Sequence, residues 1–255
     1  MKKKLLCVTL LGILMNSGVY SDGSSSQVNE VVKSEKEHFS RFYVGPELFC
    51  YQLNTHVSSV EVKGTRFFSG FRIGYEYLKP KAFYAGVDLV GASSPVDFKL
   101  SRHGKTLAWQ HAERDFFDWD FRFGYTFARE KWQAASFLGF GFYGMTSIDN
   151  HNQGYQEGAV YLSGGVRSKY IVSPSFDVGF NVKLLSALDR LEVKAKHLTA
   201  KEARVAWGGE FGVPLSWHVG STKRWDLQVI PYLLQLDFST VKNIYGLSLL
   251  CGYRF

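Results

Sequence analysis

The chain has 255 residues and a formal net charge of +7, with 45% hydrophobic and 16% aromatic side chains, 25 glycines and only 3 cysteines. So few cysteines exclude a disulfide-stapled scaffold, and the mild basic excess gives no reason to expect a nucleic-acid partner. Abundant aromatics and glycines favour an all-β architecture, because aromatics suit pleated surfaces and glycine relieves crowding on them.

The first element is read as an export signal. "MKKK" is a basic start, "LLCVTLLGILM" an apolar run and "VYS" a small-residue exit, with cleavage expected after Ser21. The run is too short for a membrane-spanning helix, which needs ~20 residues. Losing Lys2, Lys3 and Lys4 lowers the net charge to +4. Residues 22–40, "DGSSSQVNEVVKSEKEHFS", are polar and serine-rich and are read as a flexible periplasmic lead-in. Residues 41–255 form one domain.

Within it, alternation predicts strands near 41–52, 64–78, 82–100, 107–128, 131–146, 155–172, 175–188, 203–218, 224–238 and 242–255. "DFFDWDFRFGYTF" (115–127) sets the pattern: Phe117, Trp119, Phe121, Phe123, Tyr125 and Phe127 fall on one face of a strand, and Asp118, Asp120 and Arg122 on the other. Sorted by parity, the other strands add Phe42, Phe71, Ile73, Leu138, Phe140, Leu162, Phe180 and Leu249 to the apolar face. The opposite face collects Glu47, Arg72, Glu76, Asp88, Arg167, Lys169, Asp177, Lys183, Glu210 and Arg254, interleaved with glycines.

Solvent-facing charges have no need of so many missing side chains, whereas a concave interior does. The fold predicted is an all-β, closed antiparallel transmembrane β-barrel of about 10 strands, with aromatics toward lipid and charges paired inside. The charge network expected there is Glu47, Arg72, Asp88, Asp118, Asp120, Arg122, Arg167, Lys169, Asp177, Lys183 and Glu210. Short connections at 79–81, 129–131, 173–175 and 219–223 alternate with longer ones at 53–63, 101–106, 147–154 and 189–202, as periplasmic turns alternate with external loops. In the ninth strand the apolar parity switches between Val229 and Tyr232, so a bulge is expected at Pro231. Cys50 and Cys251 fall on neighbouring strands at heights ~10 Å apart, too far for a disulfide, which needs Cα atoms within about 7 Å.

"NIYGLSLLCGYRF" (243–255) ends on an alternating, terminal aromatic. It resembles the last-strand signal of Gram-negative outer-membrane β-barrel proteins, and with "RFYVGPELFCYQL" (41–53) the resemblance covers nearly all of Arg41–Phe255. The resemblance implies a multi-pass barrel in the cell outer membrane, in contact with its lipid and lipopolysaccharide. It also implies that Tyr253 and Phe255 carry the signal read by the barrel assembly machinery.

Three roles compete. Histidines His56, His103, His111, His151 and His197 fall in or beside external loops, and Asp149 with His151, or His111 with Asp115, could imitate the rim pairs of omptin-type membrane proteases. No omptin motif, metal-ligand spacing or cofactor signature accompanies them, so no catalytic, cofactor or metal residues are assigned. A narrow passive pore is opposed by the balanced interior charges and by Phe49, Phe68, Phe137 and Tyr143, which share the inward parity. Hairpins at 96–113 and 188–207 outlast the ~9–11 residues needed to cross a bilayer, and the chain here looks like the small OmpX-like barrels whose protruding sheets bind external proteins. The second hairpin carries Arg190, Lys194, Lys196, Lys201 and Arg204 against Asp189, Glu192 and Glu202, a surface suited to lipopolysaccharide or to an extracellular or host polyanion. The expected role is structural or surface-adhesive and non-enzymatic; a narrow pore is the alternative, an omptin-like hydrolase the third reading.

Overall fold

Alternating apolar and polar side chains, broken by turn residues every 15–25 positions, produce one continuous antiparallel sheet. The computed structural model describes residues 39–57, 60–79, 81–102, 105–129, 131–148, 154–195, 198–220, 222–238 and 240–255. The expected leader and lead-in, up to residue 38, lie outside them. Among the described residues the strands are β1 (Phe39–Val57), β2 (Val60–Leu78), β3 (Phe83–Arg102), β4 (Lys105–Arg129), β5 (Trp132–Ile148), β6 (Gly154–Ser173), β7 (Phe176–Ala195), β8 (Leu198–Gly212), β9 (Leu215–Val219), β10 (Trp225–Phe238) and β11 (Thr240–Arg254). Strands adjacent in the chain pair, except β8 and β9, which both pair with β7 and β10 and not with each other; β11 pairs with β1 to close the ring. Backbone bonds Ser40 N–H to Phe255 O (3.2 Å) and Phe255 N–H to Ser40 O (3.0 Å) bring the two ends of the barrel together.

β8 and β9 are one stave. Asn181 pairs with Gly212 and Val178 with Leu215 on one side, Tyr232 with Gly212 and Val229 with Leu215 on the other, so the register runs unbroken across Val213 and Pro214. The ladder thins there because two prolines meet. Val213 donates to the Pro231 carbonyl (3.0 Å) and Gly179 to the Pro214 carbonyl (2.8 Å), but neither proline has an N–H to return. The bulge expected at Pro231 is therefore absent: β10 keeps one register against β11 from Trp225–Tyr253 to Phe238–Thr240. Tyr232 and Leu234 point into the barrel, not outward, because the ring of Tyr232 occupies the space above Gly246, its cross-strand partner.

Following paired residues around the wall gives the barrel's dimensions. Ser40 leads to Tyr77, Ala85, Phe123, Leu138, Gly164, Leu184, Gly209, Gln235 and Asn243, then back to β1 at Gln52. The walk crosses ten staves and returns twelve residues higher. At strand spacings of ~4.7 Å and rises of ~3.3 Å, that stagger sets a tilt of roughly 40° and an axial rise of roughly 2.5 Å per residue.

The outer surface is layered. Near the short turns, aromatic rings touch in pairs around the wall: Tyr77–Phe83, Tyr125–Phe127, Trp132–Tyr170, Phe176–Trp217 and Trp225–Tyr253, with centroids 4.9–6.3 Å apart. Above lies an apolar belt in which Phe71, Leu162, Leu184 and Trp207 are each 66–69% exposed. The belt ends at outward polar residues, in directly paired runs Gln235–Asn243–Gln52–Thr65 and Ser93–Asp115–Thr146–Gln156. On β4 the belt runs from Phe127 to Phe117, which at this tilt is about 25 Å, the height of an outer-membrane apolar band. An exposed belt encircling the molecule is incompatible with a soluble monomer.

The 25 residues of β4 exceed that height, so β3 and β4 continue nine pairs above Ser93–Asp115, to Arg102–Lys105, with a register shift between Leu100 and Ser101. Segments expected to be loops at 53–63 and 189–202 are instead largely strand, ending in the tight pairs Val57–Val60 and Ala195–Leu198. Cys50 is half-buried and Cys251 exposed, and they form no disulfide; Cys251 pairs with Val44 and Cys50 with Tyr245, six positions apart along β1.

Candidate functional site: the barrel interior

Inward-facing side chains fill the lumen in three tiers. The lowest, nearest the short turns, is built on strand ends. Arg41 of β1 donates to Asp226 of β10 (2.7 Å) and to the Gln228 Oε1 (3.2 Å), and lies 3.6 Å from Glu76 of β2. Arg254 shares Asp226 (3.2 Å), and Arg167 of β6 pairs with Glu76 and donates to the Tyr84 hydroxyl (3.1 Å). Asp177 of β7 is held by His218 (2.8 Å) and approached by Lys169 (3.7 Å).

The middle tier collects the charges of the opening β4 motif. Arg122 pairs with Asp88 and lies 3.5 Å from Asp120; Lys183 bridges Asp120 (3.4 Å) and Glu210 (2.9 Å). Glu47, fully buried, takes two bonds from Arg72 (3.1 and 3.3 Å), and Asp118 accepts from the Tyr161 hydroxyl (3.0 Å). Three tyrosines reach these groups by lying over glycines of the adjacent strand: Tyr43 over Gly74, Tyr161 over Gly141 and Tyr232 over Gly246, each a direct cross-strand pair. These three interior glycines are thus space for a neighbour's ring.

The upper tier is aromatic. Phe49 stacks on Phe68 at 4.8 Å, with Phe116 edge-on at 5.1 Å to Phe49. Beside them Tyr143 (2.9 Å) and Tyr51 (3.4 Å) donate to buried Glu157. Cavities of about 80, 50 and 40 Å3 remain between the side chains. The first and second share Arg167, Asn181 and Gln228 as walls, and the second and third share Asp118, Lys183 and Glu210.

All eleven charges expected inside converge there, but the sequence reading missed several partners. Arg41, Asp226 and His218 sit at strand ends, where too few alternating neighbours fix a phase; Arg41 nonetheless has the parity of Glu47, and Asp226 that of Gln228. The sequence pattern puts Asp189 and Arg204 on the projecting hairpin. Instead Asp189 is 1% exposed and Arg204 lies 3.7 Å from it, because their parity is that of the inward Leu185, Ala187 and Ala206. On that hairpin Arg190 is exposed, Lys194 (3.5 Å) and Lys201 (3.3 Å) share Glu192, and Lys196 lies outside the described residues. Tyr253 and Phe255 join the lower aromatic layer, their rings 6.2 Å apart.

The rim pairs considered for proton transfer do not assemble among the described residues. Asp115 is exposed on the outer face, and Asp149, His151 and the side chain of His111 lie outside the description. No group of three or more His, Cys, Asp and Glu among the described residues could hold a metal ion.

A closed, tilted barrel with an apolar belt outside and a polar, filled lumen is an outer-membrane β-barrel. No protein-family model matches the sequence, and no curated protein matches it. Solved structures similar to the chain include the following. The outer-membrane protease OmpT of Escherichia coli is 8% identical, with 86% of this chain and 96% of that one covered and a TM-score of 0.54. Ail, the attachment invasion locus protein of Yersinia pestis, solved with the heparin analogue sucrose octasulfate, is 10% identical, covering 86% and 99%, at 0.43. The outer-membrane protein OprG of Pseudomonas aeruginosa is 9% identical, covering 86% and 96%, at 0.40.

Proposed function

We propose that this outer-membrane barrel works at the cell surface, as a structural or adhesive protein that presents its projecting hairpins on a filled, non-catalytic support. The observation that carries the reading is the length of β3 and β4 above the apolar belt. Nine further residue pairs at roughly 2.5 Å each lift the hairpin about 20 Å clear of the lipid band. Paired strands hold that shape without a ligand, so a partner meets a preformed surface and little ordering entropy is lost on binding. The β7–β8 hairpin supplies cations: Arg190, Lys194, Lys196 and Lys201 outnumber Glu192 and Glu202. Their chemistry suits a polyanion, either lipopolysaccharide phosphates or a sulfated host polysaccharide.

The experiment is binding of the detergent-folded protein to immobilised lipopolysaccharide and to heparin, beside a variant with Arg190, Lys194, Lys196 and Lys201 changed to Gln. Saturable, salt-sensitive binding lost in the variant is the expected result. Equal binding by both proteins removes the hairpin from the account. The second reading, a narrow pore, is favoured by the stacked cavities and their shared charged walls, and single-channel recording separates it from the first.

A further inference from the structure

The lowest cavity, about 80 Å3 at the short-turn end of the lumen, has a wall of unusual composition. Arg41, Arg167, Lys169 and Arg254 line it, against two lining carboxylates, Glu76 and Asp177. Asp226 adds a third from behind Arg41 and Arg254. By formal charge these four cations exceed the three carboxylates by one.

The neutral groups sharpen the preference. Arg167 donates through Nε to Asn181 Oδ1 (3.3 Å), so the amide end that Asn181 has left is its NH2 donor. Arg41 donates to Gln228 Oε1 (3.2 Å), and Gln228 Nε2 donates to Ser216 Oγ (2.8 Å), which leaves the Ser216 hydroxyl proton to give. Arg167 spends Nη1 on Tyr84 and Glu76, and Nη2 remains an unused donor among the described residues. At Asn181 and Ser216 an arginine or amide has consumed the acceptor and left a donor on the cavity wall.

We infer that this cavity is a binding site for a small oxyanion entering from the periplasmic side. Surplus positive charge and three spare donors match a phosphate or carboxylate group, and charge-assisted bonds of this kind are the strong ones. The volume exceeds the ~10–15 Å3 that one water needs and leaves room for one such anion. The strand wall separates the cavity from lipid, so the ligand is a free anion, not a headgroup. The site is independent of the surface role proposed above, which it neither requires nor supports.

The test uses the folded protein in phosphate-free detergent, titrated with inorganic phosphate and followed by calorimetry and phosphorus line-broadening. Wild type should bind saturably at one site. Asn181→Ala with Ser216→Ala removes two donors and leaves every ion pair; affinity should fall roughly tenfold or more. Ser216→Ala alone should fall several-fold, and Arg66→Gln, toward the opposite end and bonded to the Thr65 carbonyl, should bind as wild type. All variants should keep the heat-modifiable migration of the folded barrel. Absence of saturable phosphate binding in wild type, or an unchanged affinity in the folded double variant, would overturn the inference and leave a water-filled cavity.

Discussion

Arg41 and Asp226 meet at 2.7 Å across 185 positions of sequence, reaching past the intervening β11 to tie the first strand of the barrel to the tenth. Both are almost wholly buried, and Asp226 also serves Arg254. Asp226→Ala therefore takes the nearest carboxylate from two guanidinium groups in a poorly solvated space. The expected loss is about 3–5 kcal/mol, the range for breaking a buried ion pair. Urea unfolding in detergent micelles measures it, with Glu192→Gln, on an exposed pair, as the control expected to leave the midpoint unchanged.

Asp189→Ala gives a second reading of the same physics at the other end of the barrel. A hairpin-tip aspartate could be removed without effect, but this one is buried beside Arg204. Its loss should lower the unfolding midpoint by an amount comparable to Asp226→Ala. An unaltered midpoint would return Asp189 to the solvent.

Gly246→Ala places a methyl group where the Tyr232 ring lies. The ring must shift, and overpacking of this kind costs about 1–3 kcal/mol. Adding Tyr232→Ala should remove most of the penalty of the glycine change, so a double-mutant cycle should return a coupling close to the single-mutant cost. Additive effects would mean that the ring does not occupy that space.

Phe121 sits midway along β4 between Phe127 in the lower aromatic layer and Asp115 in the upper polar ring. Phe121→Arg should cost ~2–4 kcal/mol near the bilayer midplane, whereas Asp115→Arg at the border should cost ~0–1 kcal/mol. Reversible unfolding in lipid vesicles measures both, and equal costs would misplace the belt.

Period-two alternation made the barrel and its inward charges legible because one residue of phase error would reverse every side chain in a strand. Strand interiors such as 115–127 carry enough repeats to fix that phase. Strand ends do not, which hid Arg41, Asp226 and His218. Parity also misled in β10, where Tyr232 and Leu234 are large and apolar yet inward, since a barrel interior with glycine beneath welcomes an aromatic ring as readily as lipid does. The reach of paired strands beyond the membrane is legible at 96–113, but distance along the hairpin misplaces Asp189 and Arg204, whose face and not their position decides burial. Which charge meets which depends on a stagger of twelve residues around the wall, a quantity that no local pattern encodes.

The central claim is that the lumen is filled: charges paired in two tiers and closed above by Phe49, Phe68 and Phe116. Planar-bilayer recording of the purified, folded protein tests it most directly. The wild-type barrel should be insulating, with steps that appear only when Phe49, Phe68 and Phe116 are cut to alanine or Asp120 is removed. Steady, uniform conductance steps from the wild-type protein would contradict it.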